Sequence, residues 1–193
     1  MLYFYDPPIN KYFLVKYGFV LFSATLFYFS LFNLAIASQP NIRESEIKAV
    51  YLFNFSLFTS WPANSDSNAG NFNICVLGDD PFGNNLDIAV ANETVSDRPV
   101  VVRRILHYKN TDFCQILYIS QSEQPKLKKI MTHLEGKPIL TVSDIPSFVV
   151  NGGMIEFYRR KTKVRFFVDP KTVVDAGLKI SSKLLRVAKV VQH

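Results

Sequence analysis

The chain has 193 residues, 48% of them apolar, with 22 Lys+Arg against 16 Asp+Glu for a formal charge of +6, 17 Phe, 9 Tyr and two Cys. That length suits one domain, two at most, and the apolar content with ten Pro and eight Gly excludes a disordered, low-complexity or collagen-like chain. Two cysteines exclude a disulfide scaffold and a CxxC zinc ribbon.

The aromatics are concentrated at the N-terminus, where residues 1–37 hold seven of the Phe and five of the Tyr. Lys11 and Lys16 precede an uncharged run from Tyr17 to Ile42, which passes through Ala35-Ile36-Ala37 before Ser38. A basic start, an apolar core and small residues at a cleavage site predict a cleaved signal peptide over 1–37. An uncleaved membrane anchor is the alternative, because the run approaches the roughly 20 residues that span a bilayer. In either case residues 38–193 are expected to be delivered across a membrane as a single domain. A domain of that size buries roughly 70% of its unfolded surface and needs no metal to fold. Cytoplasmic nucleic acid is excluded as a partner by this export.

After the leader, Ser45 precedes IKAVYLFNFSLFTSWP, with Glu44 and Glu46 where a helix dipole favours acids. The spacing of Ile47, Val50, Tyr51, Asn54, Leu57, Phe58 and Trp61 predicts a long helix with that face buried, stopped by Pro62. Asn54 on such a face needs hydrogen-bond partners, from a neighbouring loop or from a ligand. PANSDSNAGN, 62–71, reads as a loop. Strand FNICVLG follows, then a short helix to about Val90, strand PVVVRRI from Pro99 to Ile105, and strand CQILYIS. QPKLKKIMTHLEG is a helix closed by Gly136, PILTVSD a strand, and Asp144-Ile145-Pro146 the start of a helix ending at Gly152-Gly153. MIEFYRR and KVRFFVD alternate around Lys161-Thr162 as a hairpin. Pro170 opens a helix to Gly177, and Ile180, Leu184, Val187, Ala188 and Val191 give a last helix its apolar stripe. Apolar strands alternating with short helices predict an α/β fold: a mostly parallel, doubly wound sheet with helices on both faces and an antiparallel edge hairpin.

No catalytic, cofactor-binding or metal-binding set is found. The three histidines, His107, His133 and His193, fit no HExxH, and neither GxSxG nor SxxK occurs. LGDDPFG lacks GxGxxG, and Asp79 and Asp80 would repel a phosphate, so Asp80-Pro81 reads as helix capping. The carboxyl ends of the parallel strands near Gly78, Ser120 and Ser143 are where a small-molecule ligand is expected if one binds. Cys75 and Cys114 sit on strands expected to be neighbours; they either close a disulfide or stay as two buried thiols. Residues 159–193 hold ten Lys+Arg and two Asp. Lys179, Ser182, Lys183, Arg186 and Lys189 recur at helical spacing on the last helix. This is either a solvated face or a docking face for an acidic partner, an anionic ligand or lipid head groups.

IKAVYLFNFSLFTSWP, FNICVLGDDPFG, RPVVVRR, CQILYIS, GKPILTVSD, GGMIEF, KVRFFVD and AGLKISSKLLRVA, in this order from about Ile47 to Ala188, resemble the successive blocks of the YfiR-like periplasmic proteins. The resemblance implies a non-enzymatic periplasmic regulator, commonly dimeric, that binds the periplasmic part of an inner-membrane diguanylate cyclase and lowers cyclic-di-GMP synthesis. A sensor kinase is the alternative partner. It also implies that Cys75 and Cys114 match family cysteines able to pair. Relatives carry a further pair near the GGMI block; here Val149, Val150 and Asn151 precede Gly152, with no cysteine.

Overall fold

A computed structural model describes residues 39–62 and 70–191. The signal peptide expected over 1–37 and most of the 62–71 loop lie outside the described residues. The chain divides into two compact units, 1–42 and 43–193, and the account below concerns the second. Among the described residues no helix is long and apolar enough to cross a membrane.

The elements follow the expected order for most of the chain. Helix α1 (Gln39–Leu57) leads into β1 (Thr59–Ser60), then β2 (Phe72–Leu77), α2 (Asn84–Ala89), β3 (Thr94–Val95), β4 (Arg98–Ile105) and β5 (Ile116–Ile119). A 3-10 turn, Gln121–Lys126, precedes α3 (Leu127–Leu134) and β6 (Leu140–Ser143). Then come the hairpin strands β7 (Ile155–Arg160) and β8 (Lys163–Val168), α4 (Pro170–Asp175), β9 (Lys179–Ile180), α5 (Ser182–Val187) and β10 (Lys189–Val190).

Eight strands form one sheet in the order β10-β8-β7-β6-β5-β2-β4-β3. Pairing is parallel from β7 through β6, β5 and β2 to β4, and antiparallel between β7 and β8 and between β3 and β4. Every residue of β2, β5 and β6 is buried. Such strands need apolar side chains on both faces, which is why they read as unbroken apolar runs. One face sends Ile74, Val76, Ile116 and Tyr118 into a core with α1, α2, α4 and α5; the other sends Cys75, Leu77, Leu117 and Ile119 against α3. The antiparallel hairpin lies toward one end of the sheet, as the sequence predicts. The two-residue β10 adds a parallel strand outside it.

Three local expectations fail. Helix α1 buries only part of the face expected: Tyr51, Phe58 and Trp61 pack against the core, but Ala49, Leu52 and Phe55 are the fully buried residues, and Ile47, Val50 and Leu57 are 37%, 51% and 51% exposed. An aromatic cluster sets this orientation. The Phe55 ring packs edge-on against Phe166 at 5.1 Å, and Tyr51 does the same at 5.3 Å, both against the hairpin. Residues 144–152 form turns rather than a helix. Asp144 is taken by Lys48 instead of capping, Ser147 adopts a φ of 63°, and Glu156 of β7 accepts the Ser147 and Val149 N–H groups. Nor is there one last helix: residues 179–190 are the strand β9, the six-residue α5 and the strand β10. Lys179 and Ile180 pair with Ser60 and Thr59, and the Ser181 hydroxyl, accepting from the Lys183 N–H, starts α5 only after that pairing.

Candidate interaction surface

Strand β2 is followed by β4 on one side and β5 on the other, so the sheet's switch point lies between β2 and β5. Gly78, Ser120 and Ser143 lie at the carboxyl ends of β2, β5 and β6, as their spacing implies. Their polar groups are turned to the protein itself. The Ser143 hydroxyl donates to the Ile119 carbonyl at 2.7 Å and accepts from the Ile145 N–H at 3.0 Å. Gly78 has φ +87°, and a Cβ there would stand 2.5 Å from Ser122 Oγ and 2.8 Å from Glu123 Cγ. The 3-10 turn therefore closes over the switch point, and glycine is required for that approach. Ser122 Oγ also accepts the Asp79 N–H, and Asp80 accepts the Phe82 N–H and pairs with Arg104 at 2.7 Å. The DDPFG segment is thus a turn braced by β4; Asp80 holds the Phe82 N–H inside that turn and does not cap α2, whose N-cap is Gly83, so the helix-capping reading of Asp80-Pro81 fails.

The start of α1 is fastened to this same end of the sheet. Lys48 Nζ lies 2.8 Å from Asp144 and 2.8 Å from Glu44, all three largely shielded from solvent. Burial works against the Lys48 charge, but hydrogen bonds to Asp144 and Glu44 outweigh it and hold the pKa above its usual value. Beside them Tyr118 is fully buried, packed edge-on to Phe82 at 4.7 Å. Burial first, and the neighbouring Asp144 carboxylate second, push its phenol well above the ordinary range. Asn54 is half-buried on α1.

Cys75 and Cys114 are joined in a disulfide with a Cα–Cα separation of 5.9 Å. It links the middle of β2 to the residue two before β5, and both cysteines lie in the core against α3.

The C-terminal basic residues are all exposed, yet they are dispersed over three elements: Lys179 on β9, Ser182, Lys183 and Arg186 on α5, Lys189 on β10. Lys179 and Lys183 meet at a groove of about 340 Å³, lined also by Leu57, Phe58, Ser60, Ile180 and Ser181. The pairing of β1 with β9 makes this groove by joining the end of α1 to the C-terminal segment, with the Ser181 N–H donating to the Phe58 carbonyl at 2.8 Å. Leu57 carries the exposed side of α1 to its rim. Lys189 is elsewhere, its ammonium 4.9 Å from the centre of the Phe167 ring. A second, larger cleft of about 990 Å³ lies between α3, the 144–152 turns and α4, with Met131, Thr141, Met154 and Thr172 in its wall. No sequence pattern announces this cleft, because it forms where an expected helix is replaced by turns.

Among the described residues no group of three or more His, Cys, Asp or Glu is placed to hold a metal ion. A comparison with curated proteins finds no match. The family model described as YfiR/HmsC-like matches residues 45–189, from the first turns of α1 through β10. With the match spanning the whole sheet and its covering helices, the chain belongs to the YfiR/HmsC-like family.

Proposed function

We propose that the protein is an exported, non-enzymatic regulator. A leader over 1–37 delivers one domain, 38–193, to the periplasm, where it forms a homodimer and binds the periplasmic part of an inner-membrane diguanylate cyclase, lowering cyclic-di-GMP synthesis. The family match over residues 45–189 carries this reading, since membership implies a periplasmic regulator of a diguanylate cyclase. Inhibition of this kind is a population shift: the regulator binds the inactive cyclase more tightly than the active one. A differential affinity of about 3 kcal/mol changes the ratio of the two states roughly 150-fold.

The docking surface we assign comprises Lys179, Ser182, Lys183 and Arg186 with the Leu57 groove and the exposed Ile47 and Val50 of α1; Lys189, expected with them, lies apart beside Phe167. Cations lining a groove with Leu57 exposed at its rim suit a partner that brings acids beside an apolar side chain. The test is capture from solubilised membranes of the native host. A diguanylate cyclase or sensor kinase is expected with the wild-type protein and is expected to be lost with Lys183→Glu/Arg186→Glu. Equal recovery with both would exclude this surface, and recovery with neither would exclude the regulator. The 990 Å³ cleft favours a second reading, a small-molecule binding module that feeds a sensor kinase. Thermal-shift screening against nucleotides and amino acids separates the two.

A further inference from the structure

The sheet face that α3 covers at β2 and β5 continues onto the hairpin, where the core built by α3 contains no residue of β7 or β8 and the 144–152 turns cover the face at Glu156. On this face the register places Arg160 opposite Lys163, Tyr158 opposite Arg165, and Glu156 opposite Phe167, with Lys189 of β10 beside Phe167. All four cations are exposed. Among the described residues none of them takes part in an ion pair. The one acid there, Glu156, is buried and its carboxylate is spent on the Ser147 and Val149 N–H groups. Arg160 and Lys163 are like charges directly opposite one another, an arrangement that destabilises a β pair unless an anion lies over it.

We infer that this face of β7, β8 and β10 binds an extended acidic polypeptide segment. Along β8, Lys163, Arg165 and Phe167 with Lys189 recur every second residue, a repeat of about 7 Å. Carboxylates on alternate residues of an extended chain recur at the same interval, so successive acids meet Lys163 with Arg160, then Arg165, then Lys189. The rings exclude the competing occupants. Tyr158 and Phe167 lie 4.3 Å apart against each other and Lys189 caps Phe167, so Phe167 offers no open platform on which successive nucleobases could stack. Both rings are half-buried and do not project as membrane-inserting anchors. A second copy presenting the same face would bring cation against cation. This surface is separate from the Lys179 and Lys183 groove, and the inference stands whether or not the partner is a cyclase.

The experiment is direct binding, by fluorescence anisotropy, of a capped octapeptide alternating Glu and Thr, with its Gln-Thr and Lys-Thr counterparts. The full chain should bind the Glu peptide in preference to both others, and added salt should weaken it. Lys163→Glu/Arg165→Glu should weaken it about tenfold or more, while Lys183→Glu/Arg186→Glu leaves it unchanged. Unchanged circular dichroism separates this loss from unfolding, and reversal of exposed like charges leaves the fold intact. Absence of binding, equal binding of the Gln peptide, or retained affinity in Lys163→Glu/Arg165→Glu overturns the inference. Tighter binding of oligo(dT), or of phosphatidylglycerol vesicles that displace the peptide, also overturns it and names the occupant instead.

Discussion

Lys48 shows how one residue ties function-bearing parts together. It crosses from α1 to Asp144 at the end of β6, and its 2.8 Å contacts to Asp144 and Glu44 raise its pKa above 10.5. A raised lysine pKa stabilises the fold fully below the unfolded value, near 10.5, and that contribution is lost as pH rises through the higher folded value. Lys48→Met should therefore cost about 1–3 kcal/mol at neutral pH, by leaving the shielded Asp144 carboxylate without its cation while Glu44 keeps Arg159 at 3.8 Å. Its urea-denaturation midpoint should fall less steeply than the wild type's above pH 10.5. Parallel curves through that window would show that the triad contributes nothing. At the disulfide, sequence separation 39 implies stabilisation of about 4 kcal/mol from loop closure. Because Cys75 and Cys114 are buried, the native protein should resist mild reductant, and its denaturation midpoint should drop sharply once denaturant has let reduction proceed. A midpoint unchanged by full reduction would contradict this. Adjacent strands and an exported context favoured the bonded state in the sequence while leaving free thiols as the alternative, and the family resemblance added that cysteines at these positions can pair. The register that sets the Cα atoms 5.9 Å apart is a tertiary property.

At the scale of single elements, α1 is the most informative. Its apolar residues occur on almost every side, from Ile47 through Phe58, so periodicity had no polar face against which to choose. Packing decides instead: Leu52 and Phe55 meet Phe157 and Phe166 in the core, leaving Ile47, Val50 and Leu57 outside. Leu52→Ala is expected to cost about 2–5 kcal/mol, and Val50→Ala less than about 0.5 kcal/mol, by chemical denaturation. The reverse order would restore the face that spacing favoured. In the hairpin, Lys163→Glu converts a like-charge cross-strand pair with Arg160 into an opposite one. It should raise stability by about 0.2–1 kcal/mol, and a fall would show that the two cations do not face one another. The 144–152 turns were illegible because their capping-like Asp144 is claimed by a residue 96 positions away. The C-terminal segment was read as one helix because Lys179, Lys183 and Arg186 keep helical spacing. Pairing of Lys179 and Ile180 with β1 is a long-range contact that spacing cannot show.

Across the whole molecule, the α/β class, the parallel centre and the hairpin were legible because β2, β5 and β6 are buried on both faces and must be apolar throughout. The candidate surface was legible only as composition. Ten of the cations lie in 159–193, but folding puts Lys179 and Lys183 at a groove beside α1 and Arg160, Lys163, Arg165 and Lys189 on a sheet face, and pairs Arg159 with Glu44 and Lys171 with Asp175. That division leaves the domain with two separate cationic surfaces. The central claim is that this domain, once exported, restrains a cyclase. Its most direct test is intracellular cyclic-di-GMP, measured by mass spectrometry in native host cells lacking the protein and in the same cells re-expressing it. The level should rise on deletion and return on re-expression of the full chain, but not of a form lacking residues 1–37; an unchanged level on deletion, or full restoration by the leaderless form, would contradict the account.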